Sequence, residues 1–240
     1  MNVLCIGNSF SVDATRYLHG IARADGKDIN ITDLYIGGCS LDMHYRNMLS
    51  DEPAYRLDIN GTPTVFTVSL REALMSQPWD YVTIQQVSHL APRYETYQPY
   101  LDALCEFVRE CSPLVKLAIH QTWEYEEGSS RLTEELKYKH GEDMFADIEA
   151  SYKKAAEDVR AELVIPSGAV FRELARAGVG PIHRDTFHAA YGIGRYALGL
   201  IWYRALTGAD VTENSFCDFD EEIPPETVKK IKECVMKTEI

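Results

Sequence analysis

Asn2-Val3-Leu4-Cys5-Ile6-Gly7-Asn8-Ser9-Phe10-Ser11 reads as a buried strand that turns directly into a helix. From Asn2 to Ile6 the residues form a short apolar run rather than an apolar/polar alternation, which is the pattern of a strand covered on both faces. Gly7 permits a tight turn and leaves room beside the backbone. Ser11 or Asp13 is placed to cap a helix through Ala24, with Gly26 as its stop.

Outward from this opening, the chain alternates strand and helix. Ile29 to Ile36 reads as a second strand ending in Gly37-Gly38, Trp79 to Gln85 as a third, Leu114 to Gln121 as a fourth and Glu162 to Ile165 as a fifth. Helices are expected over Tyr97 to Glu110, Ala146 to Ala161, Ala169 to Ala177 and Ala189 to Leu206, the last closed by Gly208. One stretch breaks the alternation. Tyr55 to Ile59 and Thr62 to Thr67 flank Asn60-Gly61, a favoured two-residue hairpin turn, so about 50–68 reads as a β-hairpin insertion before a short helix over Ser69 to Ser76. The charged segment 124–143 lacks an apolar face and suits either a lid or a solvated loop and helix. The acidic tail with Pro224-Pro225 is expected to wrap the surface. With no repeat and no Pro/Gly/Ser linker, residues 1–240 read as one domain, a three-layer α/β/α arrangement around a five-stranded, mostly parallel sheet.

Bulk properties narrow the partners. The formal net charge is −13, and no dense basic run appears, so nucleic acid and anionic membrane surfaces are not expected partners. No stretch approaches the ~20 apolar residues of a membrane span. Six cysteines, at 5, 39, 105, 111, 217 and 234, show no C-x-x-C pairing, and no basic leader precedes the first strand. They read as free thiols, with a cytoplasmic location expected.

Two places carry chemistry. Ser9 lies at a strand end beside a helix N-terminus, whose free amides favour developing negative charge. The bland alternative is that Ser9 or Ser11 merely caps the helix. Near the other end stands His183-Arg184-Asp185-Thr186-Phe187-His188. A hydroxyl nucleophile needs a base, and the base needs a carboxylate to orient it. Asp185 and His188 are close enough for one turn to present both to a single partner. Alone, D-x-x-H is weak; with a strand-end serine it becomes specific.

In these blocks the chain resembles the SGNH/GDSL hydrolase superfamily. Gly7-Asn8-Ser9-Phe10-Ser11 is similar to the G-D-S-x-S block, with Asn8 replacing the aspartate; Gly37-Gly38-Cys39-Ser40 falls at the second block, and Asp185 to His188 matches the last. It looks closest to a bacterial branch combining G-N-S-F-S with Q-Q-x-S and H-x-T-W, here Gln85-Gln86-Val87-Ser88 and His120-Gln121-Thr122-Trp123. The resemblance implies a flavodoxin-like fold and a serine esterase with Ser9, Asp185 and His188 as catalytic residues. It further implies the backbone N–H groups of Ser9 and Gly38 as oxyanion donors, an acyl ester as substrate, and no metal or cofactor; the expected cytoplasmic location and an aromatic near the site tilt the substrate toward a short-chain or acetyl ester of a small carbohydrate. The superfamily's G-x-N-D block is absent. Gln86 is the favoured replacement donor, with Gln85, Ser88 and His89 as rivals, because strand alternation places neighbours on opposite faces. His120 and Trp123, after the fourth strand, are candidate substrate contacts; packing is the competing role for each.

Two other function classes compete. A phosphate- or nucleotide-binding flavodoxin-like protein would use the Gly7 to Ser11 loop, which lacks a lysine and further glycines. A metallohydrolase would use His183, Asp185 and His188. A non-catalytic member of the superfamily is the remaining alternative.

Overall fold

A computed structural model describes residues 1–240. The strands are β1 (Asn2–Gly7), β2 (Asn30–Tyr35), β3 (Tyr55–Ile59), β4 (Thr62–Val68), β5 (Tyr81–Ile84), β6 (Lys116–Gln121) and β7 (Leu163–Pro166). The α-helices are α1 (Ser9–Thr15), α2 (Leu18–Ala24), α3 (Leu41–Ser50), α4 (Leu70–Met75), α5 (Tyr100–Cys111), α6 (Gly141–Val159), α7 (Ser167–Arg176), α8 (Ile193–Thr207) and α9 (Pro225–Lys237). All strands join one sheet in the order β4-β3-β2-β1-β5-β6-β7. Helices α3, α4, α5 and α6 pack together on one side, while α1, α2, α7 and α9 gather around α8 on the other.

The sheet has seven strands, not the expected five. The five parallel strands β2-β1-β5-β6-β7 are those anticipated; the difference is the hairpin, which is not a separate excrescence. Its first strand, β3, pairs antiparallel with the β2 edge, and β4 pairs with β3. Asn60 (φ 50) and Gly61 (φ 77) both take positive φ, as the two-residue turn requires. The start of the expected insertion, up to residue 50, belongs instead to α3. That helix was not anticipated because it buries only Leu41 and His44 and so leaves almost no apolar period to read.

The centre of the sheet holds the core. Val3, Leu4, Cys5 and Ile6 are each at most 1% exposed, and each branched side chain so buried is worth about 1.5–3 kcal/mol of transfer free energy. Helix α8 buries Tyr196, Leu200, Trp202 and Tyr203 around its circumference, as a helix enclosed by neighbours must.

Two further expectations change. The helix after β1 is two pieces, and its cap is Asn8, not Ser11 or Asp13: the Asn8 side chain accepts from the Phe10 N–H at 3.0 Å. Ser11 instead donates to the Asn8 carbonyl at 2.9 Å, and Asp13 points into an ion-pair cluster. The tail is helical, since Pro225 suits the first position of α9, where no N–H is needed. No helix is long and apolar enough to cross a membrane, and all six cysteines are unpaired.

Topology sets the place of any site. The chain leaves β1 toward β2 on one side, then crosses back to β5 on the other. Loops after β1 and β5 therefore diverge and open a crevice at their carboxyl ends.

Candidate active site

Ser9 stands immediately beyond β1, as the first residue of α1. Its N–H opens the helix and so has no carbonyl one turn back to bond. The Asn8 cap determines where Ser9 points, and Asn8 is itself held from several directions. Its Oδ1 accepts from Phe10 and from Gln85 Nε2 at 2.9 Å, and its Nδ2 donates to the Cys39 carbonyl at 3.0 Å.

Behind Asn8 runs a buried hydrogen-bond chain whose polarity follows from its ends. Trp202 Nε1 can only donate, and it reaches Ser167 Oγ at 3.1 Å. Ser167 then gives its own proton to His120 Nε2 at 3.1 Å, His120 Nδ1 donates to Gln85 Oε1 at 2.7 Å, and Gln85 passes the direction on to Asn8. His120 is wholly buried, and burial lowers its pKa to about 3. It is a neutral strut, and the expectation of a substrate contact fails for it.

Trp123 is likewise no substrate contact. It is fully buried, stacks on Phe10 with ring centroids 4.1 Å apart, and donates through Nε1 to the Phe187 carbonyl at 2.8 Å. It thus touches the residue after Ser9 and the backbone of the residue before His188, fixing the distance between the two halves of the site.

His188 comes from the turn between β7's following helix, α7, and α8. Its Nε2 lies 2.8 Å from Ser9 Oγ, and its Nδ1 lies 2.8 Å from Asp185 Oδ2. Asp185 Oδ1 also accepts the His188 N–H at 2.9 Å. Partial burial raises the Asp185 pKa, but the hydrogen bonds and charge of His188 together outweigh it and leave the carboxyl below its ordinary value. The turn is closed by a bridge between His183 and Ala189 and by Arg184 N–H to the His188 carbonyl at 3.0 Å. Within it Thr186 takes φ 76, a conformation costly for a β-branched residue. The Thr186 carbonyl is tied down by the Glu126 N–H at 2.7 Å.

An ion cluster anchors this turn to the body. Buried Asp13 meets Arg184 and Arg195, each at 2.8 Å; Arg195 continues to Asp220, which also binds Arg16. The Arg16 guanidinium, against some burial and helped by Arg195, draws the Asp220 pKa down to about 2.

Gln86 does not face the crevice. Its Oε1 accepts from the Leu41 and Val87 N–H groups at 3.0 and 2.9 Å, and its Nε2 is engaged by Thr96 at 3.1 and 3.2 Å. The reason is that β5 ends at Ile84, so the alternation used to rank these residues no longer applies beyond it. Gln85 is turned to Asn8 and His120. Ser88 and His89 do line the crevice, and Ser88 Oγ lies 2.9 Å from the Tyr125 hydroxyl. Gly38 (φ 64) lines it too, its N–H unbonded to any other backbone group.

The crevice encloses about 460 Å³ between Ser9, Gly38, Ser88, Tyr125, Arg131 and His188. Tyr35 and Phe187 add aromatic walls. Tyr125 and Arg131 belong to the charged 124–143 segment, whose first part is pinned rather than loose: Glu124 and Tyr125 are buried, and Leu132 anchors a single wide turn over Arg131–Glu135. His183, a ligand in the metal reading, has Nε2 3.0 Å from the Glu124 carbonyl, and no group of three metal-ligating side chains comes together.

Known proteins sharpen this picture. The family model described as Domain of unknown function (DUF4886) matches residues 2–237. A DUF4886 family protein from Bacteroides uniformis has a crystal structure superposing with a TM-score of 0.89 at 33% identity, over 98% of this chain and 93% of that one. A proposed SGNH hydrolase from Slackia heliotrinireducens gives 0.60 at 22% identity, over 86% and 98%. A catalytic mutant of an acetylxylan esterase from Geobacillus stearothermophilus gives 0.51 at 18% identity, over 85% and 91%. The last two share the fold. Among curated proteins there is no significant match.

Proposed function

We propose an ester-hydrolase function for this chain, which belongs to the DUF4886 family. One observation carries the reading. Residues 179 positions apart, Ser9 and His188, lie in hydrogen-bond contact at a crevice, and a carboxylate holds the far nitrogen of the imidazole. Packing has no need of an aligned hydroxyl, imidazole and carboxylate at an opening; nucleophilic catalysis does.

In the proposed reaction His188 Nε2 takes the Ser9 proton as Oγ adds to the acyl carbon. The N–H groups of Ser9 and Gly38 receive the oxyanion, an arrangement supported by their free donors at the crevice wall. The tetrahedral intermediate collapses, His188 returns the proton to the departing alcohol, and an acyl-Ser9 ester remains. Water, deprotonated by His188, adds to that ester; as the second tetrahedral intermediate collapses, His188 hands the proton to Ser9 Oγ, and the acid departs. Asp185 fixes the imidazole tautomer and stabilises the imidazolium in both halves.

A short acyl group, acetyl foremost, on a carbohydrate is the proposed substrate. The limited volume and the aromatic walls of Tyr35, Tyr125 and Phe187 favour it, and the acetylxylan esterase neighbour is consistent with it. The whole chain acts as one domain in this reading, with Tyr125 and Arg131 of the 124–143 segment as one wall of the site.

The test is turnover of a short acyl ester by Ser9→Ala. Loss of about 10⁴-fold or more in kcat with an unchanged circular dichroism spectrum is expected. Full activity in that variant overturns the assignment.

A further inference from the structure

The crevice is cationic on a strongly anionic chain. The net charge is −13, yet two arginines, Arg131 and Arg184, line the crevice and no aspartate or glutamate does. The two arginines differ. Arg184 is consumed by Asp13 in a cluster of three arginines and two aspartates, and its remaining field acts on the Asp185 carboxylate. Arg131 has no carboxylate partner. Its guanidinium instead lies over the Phe187 ring, 4.3 Å from the centroid.

That placement is structured. Leu132 is buried and anchors the wide turn that begins at Arg131. Phe187, the platform under the guanidinium, precedes His188 and packs against it with ring centroids 4.0 Å apart. A guanidinium seated over an aromatic ring still has N–H groups to offer a ligand. The Phe187 ring is thus in contact with both the Arg131 guanidinium and the His188 imidazole.

Resting on the esterase reading above, we infer that Arg131 selects a substrate bearing a carboxylate close to the ester, such as an O-acetylated uronic acid. A planar carboxylate accepts two parallel N–H bonds from a guanidinium. One crevice arginine without a carboxylate at ion-pair distance suits a monoanion; a phosphate dianion would leave one negative charge unmatched. The negative field of the rest of the chain works against any anion without such a partner.

The experiment compares O-acetylated galacturonic acid with O-acetylated galactose, which differ at C6. Its first readout is the ratio of kcat/KM for the acid over the neutral sugar, in the wild type, Arg131→Gln and Arg131→Lys. The ratio is expected to exceed one in the wild type and to fall about tenfold in Arg131→Gln, mainly through KM, with partial retention in Arg131→Lys. Galacturonate binding by calorimetry, in a Ser9→Ala background, is the second readout and needs no turnover. Its Kd is expected to weaken about tenfold on Arg131→Gln. Equal ratios in all three proteins, or galacturonate binding indifferent to Arg131, overturn the inference while leaving esterase activity standing. Binding that depends on Arg131 without hydrolysis of either sugar supports the anion site and counts against the esterase reading instead. Neither binding nor hydrolysis overturns both.

Discussion

The two halves of the site are built differently. The half that carries Ser9, the proposed nucleophile, is set into the core: Asn8, Gln85 and His120 are at most 2% exposed and joined by a directed hydrogen-bond chain ending on Trp202 of α8. The half that carries His188, the proposed base, sits on a surface turn, where the Asp185 side chain is 47% exposed and Thr186 is held at positive φ. Trp123 touches both. The difference teaches where rigidity comes from. Ser9 is aimed by the same interior that makes the protein fold, whereas His188 is aimed by a surface turn and by the ion pairs that tie that turn to the body.

Substitutions should therefore separate activity from stability in the base half and couple them in the nucleophile half. Within the base half, the largest effect is expected at His188. His188→Ala should lower kcat by about 10³–10⁴-fold or more with little change in Tm, measured by steady-state kinetics beside thermal melts. Asp185→Asn comes next. Because water reaches that carboxylate, its loss should cost less than a fully buried triad acid would, about 10²–10³-fold in kcat, again with the fold intact.

His120→Leu should do the reverse. It strands the Ser167 and Gln85 groups that the imidazole satisfied, so about 2–3 kcal/mol of stability should be lost by denaturant unfolding. A fall in kcat should accompany it, since Asn8 loses its backing. The pH dependence of this loss has a definite sign. Folded His120 titrates at about 3 against 6.5 for a free histidine. Between those values the unfolded chain binds a proton that the folded chain does not, so the wild type loses stability as pH falls from about 6.5 toward 3. The leucine variant lacks that loss. The gap between wild type and variant should narrow on acidification, by about 1.4 kcal/mol per pH unit at most; a widening gap would show His120 to be charged in the fold. The smallest effect is expected at Thr186→Gly, within about 1 kcal/mol in stability, because relief of positive φ is offset by greater freedom of the unfolded chain. A severalfold loss in kcat from a looser turn should distinguish it from a silent change.

The same contrast governs how much was legible in the chain. The parallel core could be read because each strand announces itself locally, as the apolar run ending in Gly7 does; the candidate triad became legible only when the strand-end Ser9 and the weak Asp185–His188 pair were taken together and resembled the blocks of a known superfamily. Asn60-Gly61 announced the hairpin but not its pairing with β2, which depends on a sheet edge far off in sequence. Gln86 departs from its expected place because β5 ends at Ile84, two residues before it, and strand alternation stops there. His120 and Trp123 were expected at the crevice for following a strand, yet their partners Ser167, Trp202, Phe171 and Phe187 come from later segments that no local pattern connects to them. Arg131 carried no signal at all, being one charge among many in a segment without an apolar period.

The measurement that bears most directly on the account is peptide mass spectrometry after treatment with a fluorophosphonate, which reacts with serines activated as nucleophiles. One adduct is expected, on the peptide carrying Ser9, formed in the wild type and lost in His188→Ala. An adduct on another residue with Ser9 unmodified, or ester turnover undiminished in fully labelled protein, would contradict it.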